Sequence, residues 1–174
     1  SYDSSTKQPL VFNFHGYGSN ASEQMAYGDM RSHADANGFI LVHPEALDDI
    51  YGRSRWNIGG WSQSVHDDVK FTENLINLLM DKYSINAERI YSTGMSNGGF
   101  FSFHLACNLS ASFAAVASVT GSMTYSTFDN CNPRKPTPVM QIHGSLDATV
   151  PYKGSDTRNM KPIMDVMEYW KINN

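Results

Sequence analysis

Apolar positions along the chain fall into short runs separated by glycine-rich or polar connections. Two kinds of spacing alternate within them. Pro9 to Phe14 makes a strand-length run ending in His15-Gly16-Tyr17-Gly18. Phe39 to His43 is apolar almost throughout and is stopped by Pro44, a pattern that suits a parallel strand buried on both faces. Arg89 to Thr93, Phe113 to Val119 and Pro138 to His143 predict three further strands. Between these runs the period lengthens to that of a helix. Ser22 to Ala36 predicts one helix capped by Ser22, and Val69, Leu75, Ile76, Leu79 and Tyr83 predict an amphipathic helix over 67–83. Phe100 to Cys107 and Pro162 to Ile172 predict two more. Asp67 and Asp68 fall at the positive end of the second helix, so the pair reads as helix chemistry rather than as a catalytic dyad.

Strands alternating with helices over short connections predict an α/β fold, a mostly parallel sheet covered by helices on both faces. No linker or repeat interrupts the pattern, which predicts a single domain over 1–174. Ligands of such sheets sit at the carboxyl ends of the strands, where the loops bearing Gly16-Tyr17-Gly18, Ser96 and Asp147 would lie.

Composition narrows the function. With 41% apolar and 12% aromatic residues the 174-residue chain can bury a real core. The net charge is −4 and the 13 Lys and Arg are scattered, which argues against a nucleic-acid or polybasic membrane footprint. The longest apolar run is too short to span a bilayer, and the amino-terminal SYDSSTKQPL has no signal-peptide core, so an exported protein would already have lost its leader. The histidines show no ligand spacing such as H-E-x-x-H, and neither a metal nor an organic cofactor is expected.

The chemistry lies in "RIYSTGMSNGGFFSFHLAC", residues 89–107, where a strand meets a Gly-x-Ser-x-Gly turn and then a helix. A serine hydroxyl is a weak nucleophile. It must be held exposed on a tight turn with a base in reach, and small flanking residues let the backbones approach. Ser96 is the candidate nucleophile. Fifty-one residues later, after the run ending at His143, Asp147 is an acid placed to orient an imidazole. The backbone N–H of Asn97 and one near Tyr17 would stabilise the negative oxygen of a tetrahedral intermediate. Tyr17, Trp56 and Trp61 are candidates for lining the substrate pocket, since loops at that face would hold them near Ser96. Cys107 and Cys131 match no zinc or redox motif. They read either as two buried thiols or as a disulfide closing a loop of about 25 residues, worth about 3 kcal/mol. Asn20 and Asn108 begin glycosylation-type triplets that read as chance.

"VFNFHGYGSN", "RWNIGGW", "HDDVKFTENLI", "RIYSTGMSNGGFFSFHLAC", "FAAVASVTG" and "PVMQIHGSLDATVPY" together resemble the secreted polyhydroxybutyrate depolymerase and feruloyl-esterase-like branch of the α/β-hydrolases. The resemblance runs from about Leu10 to Tyr152. It implies an α/β-hydrolase core acting on small or polymeric acyl or aryl esters, with Ser96 as nucleophile and Asp147 as triad acid. It also implies a Cys107–Cys131 disulfide and a secreted or periplasmic location.

One feature departs from the family. The triad base should follow Asp147, yet no histidine occurs after His143. Family chains continue beyond the last helix to a histidine loop and begin with a strand before Leu10, so this sequence reads as a core cut at both ends and incomplete at both sheet edges. His15 and His143 each precede a glycine and read as loop-holding side chains. His104 is eight residues, about 12 Å, along a helix from Ser96. His33, His43 and His66 have no partner argument. Two expectations stand side by side, an esterase whose base lies outside this chain and a hydrolase core that only binds. A sheet edge left uncovered would also favour self-association.

Overall fold

The computed structural model describes residues 2–61 and 65–174. Among them five strands, β1 (Gln8–Phe14), β2 (Ile40–Val42), β3 (Ile85–Met95), β4 (Ala115–Val119) and β5 (Val139–Ile142), form one sheet. Their order is β2-β1-β3-β4-β5 and every pair is parallel. The helices are α1 (Ala21–Tyr27), α2 (Arg31–Asn37), α3 (Asp68–Lys82), α4 (Asn97–Asn108), α5 (Tyr125–Asp129) and α6 (Ile163–Asn173).

Successive side chains of a strand point to opposite faces, which shows how the sheet is covered. On one face of β1, Leu10, Phe12 and Phe14 are fully buried, and Phe14 meets Phe101 of α4 edge-on at 5.0 Å. On the other face the Asn13 side chain accepts a hydrogen bond from Gln24 of α1 at 2.7 Å. Helices therefore cover both faces, and α6 closes over α4 by stacking Trp170 on Phe103 at 6.1 Å. A disulfide joins Cys107 near the end of α4 to Cys131 just beyond α5.

The helix expected from Ser22 to Ala36 is two helices. The Asn13 amide donates to the Gly28 carbonyl at 3.3 Å, an acceptor that an uninterrupted helix would reserve for residue 32. Asp29 then accepts from the Arg31 N–H at 2.9 Å, and α2 starts afresh. The cap of α1 is Asn20 rather than Ser22, its side-chain oxygen accepting from the Glu23 N–H at 2.9 Å. The paired aspartates do serve a helix. Asp67 caps α3 through the Lys70 N–H at 2.9 Å, and buried Asp68 accepts from the Asn57 N–H at 2.7 Å. Burial raises the Asp68 carboxyl above its ordinary pKa, against the opposing pull of that N–H. Asp68 thereby ties α3 to the loop that carries Trp56.

The outer strand β5 leaves one face open, with Met140 59% and Ile142 53% exposed. An apolar edge strand is a template for pairing with another chain. The 174-residue protein is expected to self-associate as its concentration rises. Met140→Lys combined with Ile142→Lys should weaken that association while leaving the thermal midpoint nearly unchanged. Sedimentation velocity on both proteins checks this, and equal association would place the contact elsewhere.

Candidate active site

The turn between β3 and α4 holds Ser96 at φ 53°, ψ −116°, in left-handed space that a non-glycine residue rarely occupies. Such backbone strain is worth about 1–3 kcal/mol and persists only where the surroundings over-determine it. The surroundings here are backbone atoms. A Cβ added to Gly98 would fall 2.2 Å from the Phe14 carbonyl oxygen, and one added to Gly94 would fall 2.6 Å from the Gly98 carbonyl carbon. The Ser96 N–H is held by the Val119 carbonyl at 2.8 Å, so the ends of β1, β3 and β4 all fix the turn.

Beside it runs the loop after β1. An added Cβ on Gly16 would lie 3.6 Å from the Ser96 Cβ, which brings this loop into contact with the serine. His15 is fully buried and locks the loop: its Nδ1 donates to the Gly16 carbonyl at 2.8 Å and its Nε2 accepts from the Ala46 N–H at 3.1 Å. Asn97 opens α4, so its N–H has no intrahelical acceptor. Neither that N–H nor the N–H of Tyr17 is bonded to another described residue. The side chain of Asn97 is fixed by the Trp56 backbone, accepting from its N–H at 2.8 Å and donating to its carbonyl at 3.2 Å.

Asp147 sits in the turn after β5. One carboxylate oxygen accepts from the N–H groups of Thr149 and Val150, at 2.8 and 2.9 Å. The other lies 3.8 Å from His143 Nε2. His143 faces an amide donor of Gln141 at 2.9 Å and the Val150 carbonyl at 2.8 Å, so its Nδ1 accepts and its Nε2 donates. Both ring nitrogens of His15 and of His143 are thus committed to holding loops.

These elements border a cleft of about 630 Å³ lined by Ser96, Asn97, Tyr17, Trp61, Phe100 and Arg55 on one side and by residues 149–150 and 157–160 on the other. The structure brings Tyr17, Trp61, Ser96 and Asn97 to this cleft, with the loop of Asp147 as part of its wall. Trp56 is not a pocket residue. Its ring is fully buried, stacked on Phe101 at 5.1 Å and edge-on to Phe14 at 5.0 Å, and its indole N–H donates to the His15 carbonyl at 3.1 Å. A rigid ring with a polar edge fills the core and reaches a carbonyl at once, so this side chain works beneath the site and not within it.

Two participants escaped the sequence reading. The buried carboxylate of Asp49 accepts from the Tyr17 hydroxyl at 3.2 Å and lies 3.6 Å from Arg55. The Arg55 guanidinium sits over the rings of Tyr17 and Trp61, at 5.1 and 4.6 Å from their centres. No motif announces this stack, because its members come from separate loops. Trp61 is pinned from the other side, donating to the Arg158 carbonyl at 3.1 Å, while the Asn159 amide donates to the Gly60 carbonyl at 2.8 Å. Among the described residues no group of three His, Cys, Asp or Glu side chains is placed to hold a metal ion.

A strained serine at a strand-to-helix turn, facing a cleft at the carboxyl ends of a parallel sheet, is the arrangement of a hydrolase nucleophile. A family model described as phospholipase/carboxylesterase matches residues 2–162. The chain belongs to that family. Relatives within the wider fold include a feruloyl esterase B of Piromyces equi, 30% identical over 159 residues, covering 89% of this chain and 29% of the relative. A poly(3-hydroxyoctanoate) depolymerase of Pseudomonas fluorescens is 28% identical over 129 residues, covering 69% of this chain and 46% of its own. A thermostable esterase structure superposes with a TM-score of 0.67 at 19% identity, over 100% of this chain and 46% of that one. Esterase PE8 gives a TM-score of 0.63 at 20% identity, over 90% and 78%. Both structures share the fold. The chain spans less than half the length of the two curated relatives named here.

Two outcomes follow for this phospholipase/carboxylesterase-family site. Gly98→Ala drives a methyl group into the Phe14 carbonyl, an overpacking that neither backbone can relieve. It should cost about 3 kcal/mol or more, read as a lowered urea midpoint. His104, which faces the Thr127 hydroxyl at 2.9 Å, is held by burial at a pKa of about 4. Its unfolded value is the ordinary one, so between pH 6.5 and about 4 the unfolded chain binds a proton that the folded chain refuses. Stability should therefore fall across that window as pH drops, by at most about 3 kcal/mol. His104→Gln should flatten the slope in denaturant titrations at each pH, and an unaltered slope would assign it to other groups.

Proposed function

We infer that the protein is the core of a serine carboxylic-ester hydrolase working through an acyl-enzyme. The observation that carries this is the backbone of Ser96, held in left-handed space with its side chain in the cleft. Ser96 Oγ attacks the ester carbonyl carbon, its proton passes to a base, and the carbonyl oxygen takes the negative charge. The N–H groups of Asn97 and Tyr17 are the proposed donors to that oxygen. Collapse expels the alcohol, leaving an acyl-serine that water hydrolyses by the same steps in reverse. Asp147 is the proposed acid, with one oxygen already satisfied by two backbone N–H groups and the other available to orient an imidazole.

The base is assigned to a histidine outside these 174 residues. Among the described residues no histidine lines the cleft, and His15 and His143 of the neighbouring loops have both ring nitrogens engaged. Substrates are proposed to be acyl or aryl esters, small or polymeric, of the kinds named for the relatives: feruloyl esters and hydroxyalkanoate polymers. The disulfide supports a location in an oxidising compartment, secreted or periplasmic. No described helix is long and apolar enough to cross a membrane. The lack of a cleft histidine also supports a second reading, in which this core binds esters without turning them over.

A fluorophosphonate probe followed by peptide mass spectrometry separates the two readings. Slow labelling confined to Ser96, abolished in Ser96→Ala, is expected for a nucleophile turn without its base. Turnover of p-nitrophenyl butyrate by the 174 residues should stay within about 10⁴-fold of the uncatalysed rate. A cleft that is never labelled would favour the binding reading, and fast turnover lost in Ser96→Ala would place the base inside this chain.

A further inference from the structure

The cleft carries a charge that ester cleavage by itself does not require. Two arginines line it, Arg55 and Arg158, and among the described residues no Asp or Glu does, in a chain of net charge −4. The two arginines are in different situations. Arg55 has a side chain only 11% exposed, lies 3.6 Å from the Asp49 carboxylate and is covered by the rings of Tyr17 and Trp61. Its charge is balanced within the fold. Arg158 is exposed, and no carboxylate among the described residues lies within ion-pair distance of it.

Arg158 is nonetheless held in place. Its Nη1 donates to the carbonyls of Ala148 at 3.0 Å and Thr149 at 2.9 Å, in the loop of the proposed acid. Its own carbonyl accepts from the Trp61 indole, and the next residue, Asn159, is fixed at φ 57° with its side chain on Gly60 and Tyr125. A guanidinium has five N–H donors in a rigid fork, and only Nη1 is engaged here. The entropy of ordering this long side chain is largely lost on folding, so a ligand need not supply it. The amino-terminal end of α4, where Ser96 sits, adds positive potential to the same cleft.

We propose that Arg158 is a specificity-determining residue that binds a carboxylate on the substrate, so that the preferred ester carries a free carboxylate remote from the scissile bond, as in a hemiester of a dicarboxylic acid. This deepens the esterase reading and rests on it. A carboxylate matches the planar fork, and one uncompensated cation calls for one anion. Exposure of Arg158 keeps the desolvation penalty low and makes the attraction sensitive to salt.

The test separates recognition from turnover. Ser96→Ala protein is titrated with monomethyl glutarate and with methyl butyrate, following cleft amides by NMR. The anionic ester is expected to bind about fivefold or more tightly, with the preference shrinking as sodium chloride is raised. Adding Arg158→Gln should bring the ratio of affinities near one, and Arg158→Lys should retain part of it. Equal affinities, no detectable binding of monomethyl glutarate, or a preference that survives Arg158→Gln would overturn the proposal. Fluorophosphonate labelling of the chain with Ser96 intact reports on the esterase reading alone. Its failure alongside an Arg158-dependent anion preference would remove the chemistry and leave the recognition.

Discussion

The arrangement at the carboxyl end of the sheet depends on how closely the turn at Ser96 lies against the last residue of β1. The Phe14 carbonyl occupies the space where any side chain at position 98 would begin, and the Gly98 carbonyl carbon lies 2.6 Å from where one at position 94 would. Two strands and a helix start can meet at that distance only as bare backbone. The strain at Ser96 is then supported from below by contacts it cannot relax away from, and the serine is kept at the head of α4 beside the cleft. A looser turn would let the serine return to ordinary dihedrals.

From that contact the rest of the site is assembled by Trp56. Its backbone holds the Asn97 side chain, its indole N–H holds the His15 carbonyl, and its ring rests on Phe101 and Phe14. The serine turn and the loop beside it are thus fastened to one residue in the core, whose loop is in turn held by Asp68 of α3 through Asn57. Above this floor the walls are set by a different device, the alternation of rings and charge in Tyr17, Arg55 and Trp61 over buried Asp49. Ring packing and hydrogen bonds fix the floor, and stacked rings around an ion pair fix the walls.

Most of the sheet was legible because parallel strands leave nearly continuous apolar runs and glycine clusters mark where several of them end. The serine turn was legible for the same reason, its glycines being a steric necessity visible in the letters. Phe39 to His43 is a strand as expected but not one buried on both faces, because β2 is the outer strand of the sheet and stays half-buried. What the letters hid were interactions between distant loops. Trp56 reads like any loop tryptophan until its hydrogen bonds to His15 and Asn97 are known, and Asp49 and Arg55 meet Tyr17 from 32 and 38 residues away. The break after α1 was missed because it is made by Asn13, a strand residue that captures the Gly28 carbonyl. The short helix α5 has too few residues for any period to show.

On the proposed chemistry, the acid loop also constrains what kind of base can complete the site. One oxygen of Asp147 is consumed by the N–H groups of Thr149 and Val150, so a single oxygen remains to accept from an imidazole N–H. His143, 3.8 Å from that oxygen, turns its own N–H to the Val150 carbonyl and so leaves the position open. Arg158, anchored on the next two carbonyls, those of Ala148 and Thr149, forms no ion pair with Asp147 among the described contacts, although it holds the same loop. The negative charge of Asp147 is therefore not cancelled by the cation that steadies it. On that proposal the separation leaves one carboxylate oxygen of Asp147 for an incoming imidazole and the unengaged N–H groups of Arg158 for the substrate. A direct Asp147–Arg158 bridge would have neutralised both.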